Sequence, residues 1–448
     1  MPEMQGRQMN TLMPFQKEGV DFLKDRQKAL LADEMGLGKS VMAICAINEI
    51  NARQVLIVCP AGLKLNWQRE MKRWLKNREL KIQVLNGRND LLAKTSNVVI
   101  VNYDLLIAPK IFSQLLASKF AVGVFDESHY LKNRSAKRTR AVFLRGAIAS
   151  KCVYKWFLTG TPILNRPVEL YPLLKAVAPE VIAPYDSYGS YAQRFCDAFF
   201  DGFQLVAKGA SHVDDLSVRL GSGFMLRRKK ADVLKELPDK MYQMVSLPAK
   251  DSNVKKLLVQ EFNWTKTEAK RQAVGADGAD LARLRHELAL SKVSTAVDHI
   301  ENLLDSESKI VVFAYHRAVI AQLRDKLERY GAVSISGDTP SAARQAVVDK
   351  FQTDKDCRVF IGQIQAAGVG ITLTAASTVV FVESSWVPGE IDQAVDRCHR
   401  IGQKDSVLVQ FLVIAESLEE HMIRTVIDKR QTIAKIVDQS PEVAYLFT

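Results

Sequence analysis

Asp33-Glu34-Met35-Gly36-Leu37-Gly38-Lys39-Ser40 follows an apolar segment, Ala29 to Ala32, and precedes a helix-like run, Val41 to Ile50. Strand, glycine turn and helix in that order make a phosphate cradle. Backbone N–H groups of the turn aim at anionic oxygens, and the helix N-terminus adds positive potential. Gly36 and Gly38 keep the backbone open to the phosphates, Lys39 is placed to reach the β- and γ-phosphates, and the Ser40 hydroxyl to ligate Mg²⁺. The strict form of the motif has Gly where Asp33 stands, so this loop is a variant.

A chain of 448 residues has room for two large domains or about three smaller ones. Hydrophobic residues at 47% and charged residues at 25% describe a globular protein with ample core. The six cysteines are scattered and form no Cys-x-x-Cys pair, which argues against zinc ribbons and disulfide frameworks and fits a reducing compartment. No basic-then-apolar start marks a signal peptide, and no long uncharged apolar run could span a bilayer. An intracellular protein without a membrane partner is expected. The net charge of +12 points to a polyanionic partner. Two basic groups stand out: Lys132, Arg134, Lys137, Arg138, Arg140 and Arg145, then Arg227, Arg228, Lys229 and Lys230.

Short apolar runs alternate with helix-like segments in both halves, which predicts an α/β fold with two parallel sheets. The predicted strands lie near Val55–Cys59, Asn97–Val101, Ala121–Phe125 and Val153–Leu158, then Ile310–Ala314, Arg358–Ile361, Thr378–Val382 and Leu408–Leu412. Between about residues 165 and 305 strand patterning disappears, and helical runs at Asn253–Ala273 and Leu281–Leu304 flank a loop at Gly275-Ala276-Asp277-Gly278. One phosphate loop for two similar halves suggests a single nucleotide shared by two lobes.

Phe125-Asp126-Glu127-Ser128-His129 ends a strand with two acids. In phosphoryl transfer one acid holds Mg²⁺ and another group positions water, so Asp126 is assigned to the metal and Glu127 to the attacking water. Leu158-Thr159-Gly160-Thr161-Pro162 closes another strand, either as a relay of nucleotide state or as a plain turn. Near the start, Gln16 could clamp adenine, because its amide both donates and accepts. Far along, Gln393-Ala394-Val395-Asp396-Arg397-Cys398-His399-Arg400-Ile401-Gly402-Gln403 places Arg397 and Arg400 three apart, on one face if helical. Such arginines either stabilise transferring phosphoryl charge or form surface ion pairs; His399 reads as structural.

These segments, in this order from about Phe15 to Val413, resemble the superfamily-two helicase motors, specifically the Swi/Snf-type ATPases. Phe224-Met225-Leu226-Arg227-Arg228-Lys229-Lys230 through Leu237-Pro238 is similar to that family's segment linking its lobes, and Asp33 becomes a mark of the family's loop. Asn165–Tyr171, Tyr191–Cys196 and Gln365–Thr372 look like the annealing-helicase, HARP-type branch of fork remodellers. Gln365 stands where mainstream remodellers usually carry Arg, and Thr372 where they carry Asn.

The resemblance implies two RecA-like lobes with helical protrusions. Lobe 1 is expected over residues 1–240, with its protrusion at about 165–240. The rest, 241–448, would carry a protrusion at about 250–305 and lobe 2. ATP and Mg²⁺ are the implied ligands, with Gln393 as a further nucleotide contact. Lys64, Trp67, Tyr103, Tyr315, His316, Arg317, Ser336 and Gly337 would line a DNA groove, although Trp67 reads equally as a core aromatic. The implied activity is ATP-driven translocation on double-stranded DNA, remodelling or reannealing forks. The alternatives are an RNA-dependent ATPase and a nucleotide-switched DNA-binding module. A monomer in minimal form is expected, cytoplasmic in a bacterial or viral-host cell and nuclear in a eukaryote, with replication or repair proteins as further partners.

Overall fold

The computed structural model describes residues 11–144, 146–234, 236–248, 257, 279–367, 371–415 and 417–438. The chain divides into two compact units, Met1–Val233 with Lys435–Gln439, and Leu234–Ala434 with Ser440–Thr448.

The first unit is built on β1 (Lys28–Leu31), β2 (Val55–Cys59), β3 (Ile82–Val84), β4 (Val98–Asn102), β5 (Phe120–Asp126), β6 (Cys152–Leu158) and β9 (Met225–Leu226). They pair in parallel in the order β3-β4-β2-β5-β6-β1-β9. Every residue of β2 and β4 is buried, as expected where helices cover both faces of a sheet and the strand reads as a continuous apolar run. Strands β7 (Phe199–Phe200) and β8 (Leu205–Val206) form a separate antiparallel pair beyond the helix Tyr188–Phe195.

The second unit uses β10 (Lys240–Leu247), β11 (Ile310–Ala314), β12 (Val333–Ile335), β13 (Val359–Gln363), β14 (Thr378–Phe381) and β15 (Val407–Ile414), parallel throughout in the order β10-β15-β14-β11-β13-β12. Its sheet separates two cores. Val311 and Phe313 join Phe360, Phe381 and Phe411 on one face, while Ile310, Val312 and Ala314 join Ile361, Val380 and Leu412 on the other. Alternation along each strand thus feeds both layers. The expected α/β architecture with two parallel sheets is present. Among the described residues, no helix is long and apolar enough to cross a membrane.

Two expectations need correction. Strands do occur between residues 165 and 305: besides the β7–β8 hairpin, β9 is two residues long, and β10 is an edge strand with mixed burial, so neither carries a strong apolar pattern. The run Leu281–Leu304 is two helices, Ala279–Ser291 and Val293–Leu304. The break falls at Lys292, whose buried ammonium donates to the Leu412 carbonyl and the Glu419 carboxylate. The helix expected at Asn253–Ala273 falls outside the described residues except at Leu257, as do the loop 275–278, Arg145 and residues 368–370 of the Gln365–Thr372 stretch.

Candidate active site

Parallel sheets present their strand carboxyl ends along one edge, where ligands bind in open α/β folds. In the first unit the segments after β1, β5 and β6 all leave from that edge. After β1 the chain turns through Gly36 (φ 88°) and Gly38 (φ 85°) into the helix Lys39–Glu49. A side chain at Gly38 would be strained by its φ, and its Cβ would stand 2.6 Å from the Gln16 amide nitrogen. That amide donates to the Leu37 carbonyl at 3.2 Å, and the Gln16 oxygen accepts from the Met13 N–H. Gln16 therefore braces the loop and caps its own helix. The Lys39 ammonium donates to the carbonyls of Asp33 (2.7 Å) and Glu34 (3.2 Å), folding back over the cradle. Burial lowers its pKa, opposed by the charges of Glu127, Asp33 and Asp126. Ser40 follows Lys39 in the first turn of the helix.

Strand β5 ends at Asp126, whose carboxylate is held on both sides. Trp67 Nε1–H donates to Oδ2 at 2.7 Å, and the Glu127 backbone N–H donates to Oδ1 at 2.9 Å. The Tyr103 hydroxyl donates to the Asp126 carbonyl at 2.8 Å. Burial, then the adjacent Glu127 charge, pushes the Asp126 carboxyl up to about 7, against the opposing effects of Trp67 and Lys39. Glu127 adopts left-handed backbone geometry (φ 49°), and its Oε2 lies 3.3 Å from His129 Nδ1. The same nitrogen is 3.1 Å from the Thr159 hydroxyl of the segment after β6. Burial drives the His129 pKa down to about 3, so the ring is neutral.

Among the described residues no cluster of three or more His, Cys, Asp or Glu forms a metal cage. Mg²⁺ typically takes one or two carboxylates together with substrate phosphates and water, so it needs no such cage. The Asp126 carboxylate and the Ser40 hydroxyl are oxygen donors of the kind such an ion takes, Asp126 near enough to Lys39 of the glycine turn to oppose the lowering of its pKa. Two adjacent acids also gain from a cation placed against them.

Lys64, Trp67 and Tyr103 were expected to line a DNA groove, and their burial corrects that expectation. Trp67 and Tyr103 are each 1% exposed and support Asp126 from within. The Lys64 ammonium donates inward to the Leu85 carbonyl and the Asn86 side chain. The two basic groups also part company. Arg134, Lys137 and Arg140 are exposed, and Arg134 lies 3.8 Å over the Tyr188 ring. Arg227 and Arg228 turn inward: Arg227 donates to the carbonyls of Ala32 and Gly160, and Arg228 to the Asp33 carboxylate. Sequence reasoning missed this second role, although Asp33, an acid where the strict motif has Gly, was its signal.

In the second unit Tyr315 and Arg317 are exposed, and Arg317 pairs with Asp338 at 2.7 Å. Ser336 and Gly337 follow β12, with Gly337 N–H donating to Gln363 Oε1 at 2.8 Å. His316 is drawn to Glu383, a residue the sequence reading passed over although it follows an apolar strand as Asp126 does. Glu383 accepts from the backbone N–H groups of Tyr315 and His316, both at 2.9 Å, and lies 2.6 Å from His316 Nδ1. Burial works to raise its pKa, but these partners more than offset it and hold the carboxyl below its usual range. Gln393 is buried in the helix Pro388–Val395. That helix stops before Arg397 and Arg400, so the two arginines share no helix face, contrary to expectation. Arg397 Nε donates to the Gln393 carbonyl, and Arg400 Nη1 donates to the Ile371 carbonyl and the Thr372 hydroxyl. His399 Nε2 lies 2.6 Å from the Pro238 carbonyl, in keeping with a structural role.

Residues 15–287 match the SNF2-related domain, and residues 292–402 the helicase conserved C-terminal domain. The chain belongs to the SNF2-related family. It is 35% identical over 438 residues to the Caenorhabditis elegans SWI/SNF-related matrix-associated actin-dependent regulator of chromatin subfamily A-like protein 1 homolog, covering 95% of this chain and 62% of that protein. It is also 35% identical over 433 residues to the Homo sapiens DNA annealing helicase and endonuclease ZRANB3, covering 92% of this chain and 39% of that protein. The chain thus spans less than two thirds of the length of these relatives. Among solved structures it is similar to the Sulfolobus solfataricus SWI2/SNF2 ATPase core in complex with dsDNA, with a TM-score of 0.46 and 23% identity over 96% of this chain and 94% of that one.

Proposed function

We propose that the chain hydrolyses ATP to move along double-stranded DNA and remodels or reanneals forked or branched DNA. The observation that carries this reading is the first unit's arrangement of Lys39, Asp126 and Glu127. A loop cation and two strand-end acids, linked electrostatically, occupy one edge of a parallel sheet. The annealing-helicase relative supports the DNA substrate.

In this reading the Gly36–Ser40 turn cradles the triphosphate and Gln16 contacts adenine, with Gln393 as a further nucleotide contact. Lys39 moves from the Asp33 and Glu34 carbonyls to the phosphates. Ser40 and Asp126 would hold Mg²⁺, which would supply charge neutralisation to the phosphates. Glu127 orients the attacking water. Arg397 and Arg400 are the second unit's candidates for stabilising charge on the transferring phosphoryl group. Tyr315, Arg317, Ser336 and Gly337, with the exposed Arg134, Lys137 and Arg140, contact the DNA backbone without reading bases.

The test is ATP turnover measured side by side on single-stranded, duplex and forked DNA and on RNA, with Lys39→Ala as the inactive control. Stimulation by duplex or forked DNA is expected. Stimulation by RNA alone would overturn the substrate assignment.

A further inference from the structure

The ladder between β1 and β9 does not stop at the strand ends. Leu30 and Ala32 N–H donate to the Phe224 and Leu226 carbonyls at 2.8 Å, and Glu34 N–H donates to the Arg228 carbonyl at 3.0 Å. The phosphate loop therefore leaves β1 while still paired with residues 226–228. Side chains reinforce the pairing. Arg228 sends Nε and Nη2 to the two oxygens of the wholly buried Asp33, with the Nε bond at 3.0 Å, and Nη1 to the Phe15 carbonyl. Lys230 N–H donates to Glu34 Oε2 at 2.6 Å. Space for the guanidinium is built in, since a Cβ at Gly19 would stand 2.9 Å from Arg228 Nη2 and 2.2 Å from Met42 Sδ.

We infer that Arg228 is a positioning residue for the phosphate loop: its two-pronged grip on Asp33 sets the loop for nucleotide and ties loop occupancy to residues 225–230. This rests on the nucleotide reading above. A forked, two-bond pair fixes orientation as well as distance, which a lysine in the same place cannot do. Lys39 donates to the carbonyl of that same Asp33. When nucleotide draws Lys39 away, the grip of Arg228 is what keeps Asp33 in place. The first unit's long segment runs to Val233, so the clamped residues 225–230 lie just before the chain enters the second unit.

The experiment uses the full chain and mant-ATP with Mg²⁺. Arg228→Gln and Asp33→Asn should each weaken mant-ATP binding by about 10–100-fold, the range seen when a supporting partner of a liganding group is lost. The double variant should be no worse than either single one, because all three remove the same pair. Should Arg228→Gln fail to fold, Arg228→Lys, which keeps the charge and loses the fork, should give a loss at the lower end of that range. Hydrogen exchange supplies the readout a merely structural residue would not move. In the wild type, mant-ATP should slow exchange of amides 225–230 together with those of 33–40; in the variants, saturating nucleotide should protect 33–40 alone. Wild-type binding without protection of 225–230, or variants that bind as the wild type does, overturns this inference alone. Failure of the wild type to bind mant-ATP overturns the nucleotide reading and this inference with it.

Discussion

Asp126 and Glu383 are the same kind of group in two units of the same architecture: a buried carboxylate at the end of an apolar strand in a parallel sheet. Their protonation equilibria nevertheless move in opposite directions. Asp126 is pushed up to about 7 because burial is reinforced by the charge of Glu127 beside it. Glu383 is drawn down because two backbone N–H groups and the His316 ring meet it with no second acid adjacent. Burial sets the scale of such a shift, and the neighbours set its sign. A carboxylate crowded by another acid is the one to which the proposed function assigns a cation. One saturated by donors is a structural anchor, here for the backbone that presents Tyr315.

In the proposed function the first unit's acids perform the chemistry, whereas the second unit's acid holds a surface. The strongest attempt to break this division is Arg400→Ala, because the proposed finger role puts part of the chemistry in the second unit. Turnover should fall by roughly 10³–10⁵, the scale of arginine fingers elsewhere, with mant-ATP binding retained. Normal single-turnover rates would remove the finger assignment and sharpen the division. Next is Glu127→Gln, expected to lower the single-turnover rate by about 10²–10⁴ at unchanged nucleotide affinity. Trp67→Phe keeps an aromatic ring but removes the donor to Asp126. Mant-ADP titrations should show affinity in Mg²⁺ reduced by about 10–100-fold and affinity in EDTA unaffected; equal losses in both would return Trp67 to the role of a core aromatic.

The smallest effect belongs to Glu383→Gln, which should cost about 1–3 kcal/mol of unfolding free energy at neutral pH by urea denaturation. Its pH dependence carries the sign. The folded-state pKa is depressed, so the stabilisation is present above the unfolded carboxyl value of about 4.3 and is lost as pH falls through the lower folded value. The wild type should therefore lose more stability on acidification through that window than the Gln variant. Parallel curves would mean that Glu383 is not the anchor described.

Much of this architecture was readable because its signals are local. A run such as Val55–Cys59 cannot be solvated on either face, so it announces a strand covered by helices. The turn Gly36–Ser40 and the pair Asp126-Glu127 carry their chemistry in adjacent residues. What stayed hidden depends on direction. Trp67 stands on the helix Lys64–Trp74 and Tyr103 in the turn after β4, and neither local pattern shows that one donates to the Asp126 carboxylate and the other to its carbonyl. Arg397 and Arg400 have helical spacing, yet the helix ends at Val395 and the spacing loses its meaning.

The sequence by itself determined two α/β units with parallel sheets and the glycine turn after β1, because backbone geometry and burial are written in short-range patterns. It could not determine which charges face water. Arg134 and Arg228 look alike in a list of basic residues, and only the folded chain brings Asp33 to one and leaves the other over Tyr188. A buried charge needs a partner, and that partner can stand nearly two hundred residues away in the chain, where no local pattern reaches.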